Sequence, residues 1–124
     1  MILRFFKIIL IVLLSQDMLF ANTQFFEQGI NLYNKKKFDK AKFKFEQDIV
    51  YNPKSEMSYL YLSKIFKNLR KKDLEEQNLN TVILLNPKNE EAIYSLAKLK
   101  LETSDYKKSK ELNDRLIKFC DKFC

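Results

Sequence analysis

The chain contains no histidine among its 124 residues. That removes the commonest general base near neutral pH and the commonest metal ligand. It also lacks a glycine-rich phosphate loop and a serine followed by a nucleophile-elbow glycine. Carboxylates are plentiful, but they alternate with lysines in segments that read as solvated helix faces. The expectation is a protein with no enzymatic reaction, no cofactor and no metal. Turn material is equally scarce, with one glycine and two prolines. That suits helices with tight connections better than many short strands. With 31% charged and 46% hydrophobic residues the chain has an ordinary folded composition, and its length fits one small domain.

The N-terminus reads separately. Arg4 and Lys7 precede an apolar run from Ile8 to Leu14, closed by Ser15-Gln16-Asp17. A positive start and a short apolar stretch form the pattern of a secretory signal, whereas a membrane span needs about 20 apolar residues. Residues 1–21 are therefore expected to be a signal peptide ending at Ala21, or a membrane anchor if it is not cleaved. The protein is then exported, to the periplasm or another envelope site. Removal takes away two cations and one anion, so the net charge falls from +7 to +6.

From Phe25 to Pro53 the sequence reads as two amphipathic helices joined by a basic turn. Tyr51-Asn52-Pro53-Lys54 returns 34 residues later as Leu85-Asn86-Pro87-Lys88. Counting back from each proline gives units 22–55, 56–89 and 90–123, with helices expected at 23–35, 38–51, 55–69, 73–85, 89–102 and 105–121. Ser55, Asn89 and Ser104 stand where capping side chains would start helices.

A 34-residue period with these positions resembles the tetratricopeptide repeat (TPR) family. Phe25, Gly29, Phe38, Ala41, Phe45 and Pro53 match that family's bulky, small and proline positions in the first unit. Tyr59, Leu62, Ser63, Phe66, Leu79, Val82 and Pro87 match in the second, and Ile93, Leu96, Ala97, Tyr106, Ser109 and Leu116 in the third. Four residues depart from the pattern, one of them Asp121, which replaces the proline of the third unit. Asp48 replaces a small apolar residue, which predicts a more open position there. Glu75 sits in a small-residue slot, which leaves the second A/B turn uncertain by two residues. Asn113 replaces a large side chain. The resemblance implies an all-α fold, an α-α superhelix or TPR-like solenoid of about six helices, that binds other proteins.

The family's usual binding surface is a concave groove lined by the first helix of each repeat. Carried over by position, the groove falls on Phe26, Ile30 and Tyr33, on Leu60, Lys64 and Lys67, and on Tyr94, Lys98 and Leu101. Aromatic anchors with three lysines suit an acidic peptide or protein segment. Packing between repeats is the competing role for Phe26, Leu60 and Tyr94. Basic clusters at the A/B turns, Lys35-Lys36-Lys37, Arg70-Lys71-Lys72 and Lys107-Lys108, would form a ridge. Because the signal segment takes the chain out of the cytoplasm, an anionic membrane surface or acidic protein fits that ridge better than nucleic acid. A solvated edge that binds nothing fits it too.

Cys120 and Cys124 leave three readings open: an intramolecular disulfide, a bridge to a partner, or two inert thiols. Leu112, Leu116, Phe119 and Phe123 form the apolar stripe of the last helix. Ile117, Cys120 and Cys124 lie off it and are candidates for a homodimer or partner contact, since solenoids need a polar cap at their ends. By fold-level analogy, the small tetratricopeptide accessory of the outer-membrane β-barrel assembly machinery is similar in architecture, although this sequence lacks its lipid-attachment cysteine.

Overall fold

A computed structural model of the chain describes residues 24–124, so residues 1–21, expected to be a signal peptide, lie outside the described residues. These residues form six helices and no strand: α1 (24–34), α2 (Phe38–Tyr51), α3 (Glu56–Asn68), α4 (Lys72–Leu85), α5 (Glu90–Glu102) and α6 (Tyr106–Leu116). The chain divides after Pro53 into two compact units.

In the first unit α1 and α2 pair through aromatic side chains. Phe45 is fully buried, and Phe26 meets it at a centroid distance of 5.9 Å. A Cβ built on Gly29 would lie 2.6 Å from the Phe45 ring, so only glycine lets this ring lie against α1. That contact offsets the roughly 1 kcal/mol helix penalty of glycine. Phe25 stacks on Tyr51 at 5.5 Å, with Lys44 Nζ 5.1 Å from the Phe25 ring, and Tyr33 meets Phe38 edge-on at 5.6 Å. Asp48, expected at a more open position, is instead 2% exposed.

The second unit contains α3 to α6. Its core gathers Leu60, Leu79, Val82, Ala92, Ile93, Leu96, Leu99, Leu112 and Leu116. These residues recur at helical spacing along each element, which is why one face of each helix is buried. Each buried Leu, Ile or Val side chain contributes about 1.5–3 kcal/mol. Ser63, in the small-residue position of α3, is buried and donates its hydroxyl to Leu60 O at 2.7 Å. Glu75 occupies the buried slot of α4 at 5% exposure, whereas Gln77 is exposed, so the proline-based register holds.

The turns repeat as strictly as the helices. Lys36, Arg70 and Ser104, spaced by 34, have φ of 57°, 56° and 63°. The amide after each reaches back five residues: Lys37 to Leu32 O (2.9 Å), Lys71 to Phe66 O (2.9 Å) and Asp105 to Lys100 O (2.8 Å). This is the Schellman closure of a helix, built here without glycine. Ser104 is therefore the left-handed closing residue of α5 and not the cap of α6. That cap is Asp105, which accepts from Lys108 N at 3.1 Å. Asn89 caps α5 as expected, accepting from Ala92 N at 2.8 Å. Ser55 caps no backbone N–H, and its hydroxyl pairs with Ser58 Oγ at 3.0 Å.

The last helix stops at Leu116, well short of the expected residue 121. Beyond it the backbone turns, and the amides of Asp121 and Lys122 donate to the Glu90 carboxylate at 3.0 and 2.9 Å. Cys120 and Cys124 are joined by a disulfide with Cα atoms 5.7 Å apart. The expected stripe survives this change, because Phe119 and Phe123 still pack on the core from the turn. No helix among the described residues is long and apolar enough to cross a membrane.

Candidate functional site

The third hairpin carries an open face between α5 and α6, a cavity of about 540 Å³. Tyr94, Ala97, Lys98 and Leu101 line it from α5, and Tyr106, Ser109, Lys110 and Asn113 from α6. Three of its large side chains are well exposed, Tyr94 at 44%, Leu101 at 55% and Tyr106 at 65%. Large apolar groups with polar tips in a concave setting are what protein-binding surfaces present. Residues 117–124 do not line this face. Phe123 touches it only through its 5.4 Å ring contact with Tyr94.

Electrostatically the face is basic. Lys98 is exposed, and Lys110 is held at 2.7 Å by Asp114 one turn along α6. That hydrogen bond raises the Lys110 pKa above the ordinary lysine value, so it stays charged throughout the neutral range.

The seam between the two hairpins of this unit shows how such a face can be covered. There α5 lies on α3 and α4, with Leu60 and Leu79 buried in the core. Two ion pairs flank the apolar contact: Lys64 to Glu91 at 2.8 Å and Lys100 to Glu76 at 2.6 Å. A carboxylate at the first position of the second and third repeats makes a further closure in each. Glu56 accepts from the side-chain amides of Asn86 (3.0 Å) and Asn89, and Glu90 from the two C-terminal amides. Those backbone bonds hold the Glu90 carboxyl below its ordinary pKa.

The expected groove residues therefore separate. Tyr94, Lys98 and Leu101 come together on the open face. Leu60, at 2% exposure, is a core residue and cannot receive a ligand. Lys64 is committed to Glu91, while Lys67 is exposed. In the first unit Phe26 and Tyr33 are half-buried against the rings of their own hairpin, and Ile30 is half-buried. Sequence reasoning did not bring the α6 side of the face, Tyr106, Lys110 and Asn113, together with Tyr94, Lys98 and Leu101. The period of 34 relates them to Lys72, Glu76 and Leu79, a signal that was present but unused.

Lys35, Lys36, Lys37, Arg70, Lys71 and Lys72 are all exposed at their turns. The disulfide removes Cys120 and Cys124 as free thiols, and Ile117 is exposed. Among the described residues no group of three or more His, Cys, Asp or Glu side chains converges to hold a metal ion.

This geometry defines a tetratricopeptide-like helical-repeat fold. Solved structures agree: the first TPR of Spaghetti (RPAP3) bound to the HSP90 peptide SRMEEVD superposes with a TM-score of 0.73 at 15% identity, covering 79% of this chain and 78% of that one. The Arabidopsis OM64 TPR domain gives 0.73 at 21% identity, covering 81% and 84%. The Yersinia enterocolitica secretion chaperone SycD, in complex with a peptide of the translocator YopD, gives 0.71 at 15%, covering 76% and 72%. No family model matches the sequence, and no curated protein matches it.

Proposed function

We propose that this protein is a non-catalytic protein-interaction scaffold of the cell envelope, holding a partner segment on the open face of its third hairpin. The observation that carries this reading is the cavity between α5 and α6, with exposed Tyr94, Leu101 and Tyr106 beside Lys98 and Lys110. Neighbours of the same fold are solved with peptides bound, which supports a binding role. The envelope location rests on the signal-like residues 1–21, and an accessory part in outer-membrane protein assembly is the narrower form of the same proposal.

In-cell photo-crosslinking from Tyr94 and Lys98, with identification of the captured proteins, tests it. A defined protein captured from those positions, and not from Lys36 or Lys71, is the expected result. Crosslinks from the two basic turns alone would overturn it. A second reading has the exposed cations at each of these turns hold the protein on an anionic membrane surface. That reading expects binding to anionic vesicles that disappears in moderate salt.

A further inference from the structure

The residues of the open face are the residues of the α3–α4 seam shifted by one period. Leu60 becomes Tyr94, Lys64 becomes Lys98, Glu76 becomes Lys110 and Leu79 becomes Asn113. In the seam that set is covered by α5, whose Ile93 and Leu96 enter the core. The occupant of the open face is thus defined by what α5 does one repeat earlier. It presents an aliphatic stripe to Tyr94 and Tyr106 and places one charged residue near each flanking lysine.

The charges on the two seats differ at one end. Lys64 and Lys98 are alike, and α5 answers the first with Glu91. Glu76, which receives Lys100, is replaced on the open face by Lys110. A helix like α5 would bring Lys100 against Lys110, so a second copy docking through α5 is disfavoured at that end. The complementary occupant has acidic residues at both positions, nine residues apart as Glu91 and Lys100 are.

Resting on the scaffold reading above, we propose that the open face binds an acidic amphipathic helix of a partner protein, seated in the register of α5. Its carboxylates meet Lys98 and Lys110. Lys110 exchanges its present partner Asp114 for the incoming acid, or shares it.

The test uses the full chain and two synthetic peptides of residues 89–103, one unchanged and one carrying Lys100→Glu. Titration should show the changed peptide binding at least about tenfold more tightly, since like charges across an interface oppose association. Lys110→Glu in the protein should reverse that preference. This exposed substitution leaves the fold intact, and a thermal melt checks that it has. Equal binding of both peptides, no binding of either, or a preference untouched by Lys110→Glu would overturn the proposal. The scaffold reading is judged separately. A protein captured from Tyr94 whose capture ignores Lys110→Glu leaves the scaffold standing and removes the acidic helix.

Discussion

Gly29 and Glu75 are two residues at which local preference and packing disagree. Alanine is the better helix former at position 29 by about 1 kcal/mol. Its methyl would nevertheless lie 2.6 Å from the ring of the fully buried Phe45, which would have to shift. Gly29→Ala should therefore lower stability in a urea melt by about 1–3 kcal/mol, the usual cost of overpacking. Glu75 presents the opposite case. Burial raises its pKa, with Glu102 adding to the effect and Lys67 and Lys72 opposing it. A carboxyl whose folded pKa is raised binds its proton more tightly in the folded state, so its penalty grows as pH rises from the unfolded value to the folded one. Glu75→Ala should stabilise the protein by about 1 kcal/mol at pH 7. That gain should shrink toward acid and vanish well below the ordinary glutamate range. Thermal melts of variant and wild type across pH 3–8 would show it.

At the scale of elements, the three left-handed turn residues are a reserve of stability. An L-residue there costs roughly 1 kcal/mol or more relative to glycine. Arg70→Gly should accordingly raise the unfolding free energy in a denaturant melt by up to about 1 kcal/mol, the relieved strain less glycine's greater freedom in the unfolded chain. The C-terminal turn is fastened differently. Glu90→Gln should weaken the hold on the amides of Asp121 and Lys122, read as their faster hydrogen exchange with α3 to α5 unchanged. Because these bonds lower the Glu90 pKa, their contribution is present above the unfolded carboxyl value and lost as pH falls through the folded one. The same loosening should appear in the wild-type protein under acid. Helix positions were legible in the sequence because the 34-residue period, the prolines and the apolar spacing all agreed. Two features were not. The end of α6 was misplaced because Leu112, Leu116, Phe119 and Phe123 keep a helical rhythm through a turn fixed by contacts distant in sequence. The closing turns were hidden because Lys36, Arg70 and Ser104 stand where glycine is the usual mark.

Across the whole molecule, charge and repetition decide how a partner is met. A chain of net charge +7 attracts acidic segments at a distance, and the ordinary Debye length of about 10 Å at 0.1 M salt limits that reach. Binding of the Lys100→Glu peptide should weaken as salt rises, chiefly through slower association, as stopped-flow measurements at two ionic strengths would show. The candidate site was half legible. Tyr94, Lys98 and Leu101 followed from repeat position, whereas Leu60 shared the same position and proved to be core. The difference is that α5 covers Leu60, while no described helix covers Tyr94. The Glu56 closure also bears on how such a chain can change length. By joining the start of α3 to Asn86 and Asn89, it holds the two ends of this stretch within side-chain reach of each other. A second copy of residues 56–89 would therefore rejoin the chain across a gap that two side chains already bridge, which suits this stretch to being gained as one piece.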